Sequence, residues 1–171
     1  MSAFEQEITR ELGVVLSRRK VDHAWADHVW SPDSVLYPAP DTPPGTVISD
    51  DGTRALVYGG VTTIELFASD TSNYLDNMFE GAARLWIAAR LENDAPALVR
   101  VTADPTEGEA WFEAGFDIVG SIPMPDHLAS WIAAFTDAFH VERVFEKRKR
   151  DRSERGERGF GHKLNRGVHD V

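Results

Sequence analysis

From Thr46 onward apolar and polar positions alternate in short runs separated by glycine, asparagine and aspartate, the pattern of antiparallel strands joined by tight turns. Residues 46–49, 54–58 and 61–68 form the first set, and Asp51-Gly52 and Gly59-Gly60 are each expected to close a hairpin. In the longest run Thr62, Ile64, Leu66 and Ala68 share one face, the expected core side, while Val61, Thr63, Glu65 and Phe67 share the other. Residues 83–91 alternate again, Asn93-Asp94-Ala95-Pro96 breaks the run, and 97–102 and 117–122 complete this group. Upstream, 14–21 reads as a strand that begins apolar and turns basic at Arg18, Arg19 and Lys20. Connections this short leave no room for parallel crossovers, so strands adjacent in sequence should pair antiparallel.

Helical spacing occurs in three places. Phe4, Ile8 and Leu12 recur every four residues and predict a short amphipathic helix over 2–12. Asp104-Pro105-Thr106-Glu107 places a capping acid before a first-turn proline, with Gly115 as the stop. Leu128, Trp131, Ile132, Phe135, Ala138 and Phe139 form a core-facing stripe on a helix over 125–139. Residues 69–77 read as a polar connection, and no internal repeat is present. The pattern therefore predicts an α+β fold: an antiparallel β-meander sheet with two or three helices packed on it. Residues 1–145 make one domain, and 146–171 a basic tail expected to be disordered for want of apolar residues to bury.

Charge and cysteine content narrow the function classes. The chain of 171 residues contains no cysteine, which excludes disulfides, thiolate metal sites and cysteine nucleophiles. Its net charge of −10 divides into −14 over residues 1–140 and +4 over 141–171. An acidic body repels nucleic-acid phosphate and anionic lipid, so a protein partner is expected rather than nucleic acid. The opening residues lack a basic region and a continuous apolar run, and no stretch approaches the ~20 apolar residues of a membrane span, so a cytoplasmic location is expected.

Candidate chemistry concentrates in residues 18–30, read as a loop-like segment. Asp22, His23, Asp27 and His28 are metal-ligand types, but they lack a strong ligand spacing, and solvated turn residues are the better reading. Asp27 beside a histidine could support acid–base work, yet no Gly-x-Ser-x-Gly nucleophile elbow occurs. Gly59-Gly60 leads into another strand rather than a helix, so it does not read as a phosphate loop. Trp86, Trp111 and Trp131 lie on periodic faces and are expected in the core; Trp25 and Trp30 either pin their segment to the sheet or serve as contact anchors. The expected partner-binding residues are Arg18, Arg19, Trp25, Asp27 and Trp30, together with Lys147, Arg148, Lys149 and Arg150. No catalytic residue, metal ligand or cofactor is assigned.

Residues 14–19 (Val-Val-Leu-Ser-Arg-Arg), 25–30 (Trp-Ala-Asp-His-Val-Trp), 140–142 and 147–151, with Ile118-Val119 and Pro123-Met124-Pro125 between them, resemble an uncharacterised bacterial family encoded beside molybdenum-dependent formate dehydrogenase genes. The likeness runs from about Gly13 to Asp151. It implies a non-catalytic accessory or assembly factor that binds a formate dehydrogenase subunit or maturation protein. The alternative is an enzyme of molybdenum-cofactor (molybdopterin guanine dinucleotide) biosynthesis. A nucleotidyltransferase would carry a glycine-rich phosphate loop after the first strand, where this chain has Ser17-Arg18-Arg19-Lys20-Val21-Asp22.

Overall fold

Leu12 to Ser17 are buried without interruption, and this run is the centre of the molecule's first and longest strand. In the computed structural model, which describes residues 8–79 and 81–141, strand β1 (Thr9–His23) pairs with β2 (Ala26–Leu36) on one side and β4 (Arg54–Glu65) on the other. Strand β3 (Val47–Asp50) completes a four-stranded sheet of order β2-β1-β4-β3. Strands β5 (Arg84–Glu92), β6 (Ala95–Thr102) and β7 (Ile118–Pro123) form a second sheet of order β6-β5-β7. Every pairing is antiparallel, as expected for the α+β class. The strands nevertheless divide between two sheets, because β1 pairs with β4 and β5 with β7, neither of them a neighbour in sequence.

The two sheets enclose one core. Leu12, Val14, Leu16, Ile64 and Leu66 of the first meet Leu85, Ile87, Ala89, Val99 and Val101 of the second. Helix α3 (Asp126–Phe139) adds Leu128, Trp131, Ile132 and Phe135 to the same cluster. Helix α1 (Thr71–Phe79) presents Tyr74 edge-on to Phe135, with ring centroids 6.4 Å apart. Burial pushes the Tyr74 phenol up to about 12, and its oxygen accepts a hydrogen bond from the Phe67 N–H at 3.1 Å.

Several local expectations change. Residues 9–12 are strand rather than helix: positions four apart share a face in both structures, so Ile8 and Leu12 fit either period. Residues 1–7, including Phe4, lie outside the described residues. Gly59-Gly60 is a bulge inside the continuous strand β4, where Val14 pairs with Gly60 and Val15 with Tyr58, leaving Gly59 extra. A Cβ on Gly59 would stand 3.2 Å from Val99 Cγ1, so its bareness lets the second sheet approach. Asp51-Gly52 does close a hairpin, but through a three-residue connection between β3 and β4 in which Gly52 takes φ 89°. The Asp51 carboxylate accepts the N–H groups of Thr53 and Arg54 at 2.8 and 2.7 Å, and these donors hold it below the usual carboxylate range. The two-residue turn with both φ positive is instead Asn93 (51°) and Asp94 (61°), read from sequence as a simple break. Most of 69–77, expected as a connection, belongs to helix α1, residues 71–79, whose polar composition hid it.

Helix α2 (Pro105–Ala110) starts as expected, with the Asp104 side chain accepting the Thr106 N–H at 2.8 Å. It covers the outer face of the second sheet, where Trp86, Ala88 and Trp111 form a separate apolar cluster. Gly108 is the contact point: a Cβ there would fall 2.0 Å from Trp86 Cγ. Gly108→Ala is therefore expected to destabilise the fold by about 1–3 kcal/mol, despite alanine's better helix propensity. Urea unfolding of the variant checks this; a stabilised variant would show that α2 does not seat on Trp86.

Candidate functional site: the β1–β2 arm

Strands β1 and β2 continue past their neighbours. Lys20 N–H donates to the Thr53 carbonyl at 2.9 Å, and β4 begins at Arg54, beside Arg19. Beyond that point β1 pairs with β2 alone, through Lys20↔His28 and His23↔Ala26, with Ala24 and Trp25 at the turn. The segment expected to be loop-like is thus a β-hairpin arm. Its charged residues mask the alternation, and the register shift between Lys20 and His23, opposite Asp27, interrupts the period that would have revealed it.

Register assigns each candidate residue to a face. Arg18 pairs with Trp30, and its guanidinium lies 5.6 Å from the indole centroid, an attractive cation–π geometry. Trp30 is half-buried and packs against the main core, so it pins the base of the arm. Lys20 and His28 form the next pair on that face. Their side chains and that of Arg18 line a shallow hollow rimmed by Asp50, whose carboxylate already accepts the Gly52 N–H at 2.8 Å. Arg19 is on the opposite face, between Val29 and Arg54. Arg54 is engaged by an ion pair with Asp33 and by a 2.8 Å hydrogen bond to Ser17 Oγ.

Asp27 is exposed near the tip. Trp25, at the turn itself, is 88% exposed. The structure therefore separates the two tryptophans that sequence left equivalent: one anchors the arm and the other is presented to solvent. Three of the eight Lys and Arg residues in 1–140 fall at positions 18–20; with Asp22 and Asp27 counted, residues 18–30 carry a net +1 on a body of net −14. Lys147, Arg148, Lys149 and Arg150 lie outside the described residues.

Several polar side chains elsewhere are engaged within the fold. The Arg10 guanidinium rests over Trp131 (4.6 Å) and Tyr37 (5.0 Å) and donates to the His127 carbonyl, tying β1 to α3; sequence offered no sign of this clamp. A hollow of about 370 Å³ borders Asp76, Asn77, Arg84 and Trp86, but Arg84 donates to Ser121 and Asn77 to two backbone carbonyls. Another of about 190 Å³ includes Arg100 and Glu107, and Glu107 accepts from Thr102 Oγ1 at 2.6 Å. Among the described residues no group of three or more His, Cys, Asp or Glu side chains could hold a metal ion, and no helix is long and apolar enough to cross a membrane.

No curated protein and no solved structure matches the chain. A family model does match, over residues 11–149, a span that takes in residues 18–30 of the arm and all of both sheets but the first two residues of β1. The chain belongs to the family described as protein of unknown function (DUF3305).

Proposed function

We propose that this protein is a non-catalytic binding factor that assists assembly or maturation of a molybdenum-dependent formate dehydrogenase, gripping its protein partner with the β1–β2 arm. The observation that carries the binding role is Trp25, 88% exposed at the turn of a hairpin with basic side chains. An indole in water adds nothing to the folded chain, whereas its burial against a partner removes a large apolar area from solvent. Tryptophan and arginine are also the residues that most often dominate contact energetics. The choice of formate dehydrogenase rests on the resemblance carried by residues 14–19 and 25–30.

The test is a strain lacking the gene, grown with molybdate and formate. Formate dehydrogenase activity is expected to fall while transcripts of its subunits persist. The wild-type gene should restore it. The Arg18→Ala/Arg19→Ala variant should not, because its affinity for the captured subunit is expected to drop by roughly 1–3 kcal/mol. Normal activity in the deletion strain removes the role. Full subunit affinity in a normally folded double variant removes the arm as the contact. A subunit that is present but lacks molybdopterin guanine dinucleotide would favour the cofactor-synthesis alternative.

A further inference from the structure

The two faces of the arm differ in what their cations can do. On one, Arg19 lies directly across from Arg54, which Asp33 and Ser17 already hold. On the other, Arg18, Lys20 and His28 converge on one hollow, and the carboxylate at its rim, Asp50, is already bonded to a backbone amide. Arg18 and Lys20 stand two residues apart on the same strand face, about 7 Å along the chain. The hollow's lining sets these two cations against the single carboxylate of Asp50, a positive balance that an anion from outside would meet. The Trp30 ring beneath Arg18 orients its guanidinium, which lowers the entropy lost when a carboxylate is bound.

From this convergence we infer that the Arg18–Lys20–His28 face binds an acidic segment of the partner protein, laid across the arm while Trp25 enters an apolar socket beside it. The inference rests on the protein-binding reading and specifies the partner's chemistry. His23, the last residue of β1 before the turn that carries Trp25, stands three positions beyond Lys20, so the carboxylates should begin roughly 10 Å of extended chain back from that turn. A short acidic segment needs only this local group of cations. A nucleic acid carries one charge per ~1.7 Å of duplex axis and would bring that charge against a body of net −14 over residues 1–140, which opposes it.

The test uses the full-length chain and three fluorescently labelled probes: a glutamate-rich peptide, the same peptide with every Glu replaced by Gln, and a single-stranded oligonucleotide of equal charge. Anisotropy titration should show saturable binding of the glutamate peptide and none of its glutamine counterpart. Lys20→Glu, at an exposed position, should weaken binding roughly tenfold or more. Arg100→Glu changes the net charge equally but lies on β6, and it should leave binding unchanged. Three results would overturn the inference: equal affinity for the glutamine peptide, equal loss from both charge reversals, or tighter binding of the oligonucleotide. These measurements are independent of capture in cells. Peptide failure with intact subunit capture sinks only the acidic-segment inference, and peptide binding without subunit capture sinks only the assembly role.

Discussion

Asn77→Ala should lower folding stability by roughly 3–5 kcal/mol, a fall of about 10 °C or more in Tm for a chain of this size. The Asn77 amide joins three pieces of chain: its Nδ2 donates to the carbonyls of Arg84 and Ala103, both at 2.9 Å, and its oxygen accepts the Arg84 N–H at 3.0 Å. These bonds fix α1 against the start of β5 and the residue that follows β6. Alanine deletes all three and leaves the carbonyl of Ala103, a buried residue, without this partner, which costs more than the net worth of an exposed hydrogen bond. Thermal and urea unfolding measure the effect. A loss below about 1 kcal/mol would mean that solvent replaces the amide and that α1 is not held as described.

Trp25→Ala should show the opposite pattern. Because the indole is 88% exposed, its removal should leave folding stability within about 0.5 kcal/mol of wild type. Affinity for the captured partner subunit should nevertheless fall by about 2 kcal/mol or more, some thirtyfold, as for a buried aromatic anchor. Trp30→Ala supplies the contrast: the half-buried ring packs on the core, so its loss should destabilise the fold as well. Unchanged affinity in the Trp25 variant would place the contact elsewhere on the molecule.

Much of the sheet structure was legible because it follows from local alternation. In 61–68 the expected core side is buried at Ile64 and Leu66 while Val61 and Phe67 are exposed, although Ala68 is exposed too; in 83–91 Leu85, Ile87 and Ala89 face the main core, and Trp86 and Ala88 on the other face are also buried. The Asp104 cap and the α3 stripe from Leu128 to Phe135 were equally plain, because capping and helical burial depend on residues within a few positions of one another; the stripe's expected last members, Ala138 and Phe139, are exposed. Helix α1 was not plain. It buries one large apolar side chain, Tyr74, and is held by Asn77, a polar residue whose partners lie 7 and 26 positions away in the chain.

The arm divides in the same way. Sequence alone determined that positive charge and two tryptophans gather at residues 18–30 of an otherwise acidic chain, since composition needs no folding to be read. Only the tertiary structure decided which cations act together. Pairing β1 with β2 puts Arg18, Lys20 and His28 on one face, and pairing β1 with β4 sets Arg19 across from Arg54 on the other. Only the packed core decided the fates of the tryptophans, drawing Trp30 inward and leaving Trp25 at the turn. The physical reason is that strand register and burial are set by contacts between residues far apart in the chain, and a single-residue change of register would exchange the two faces.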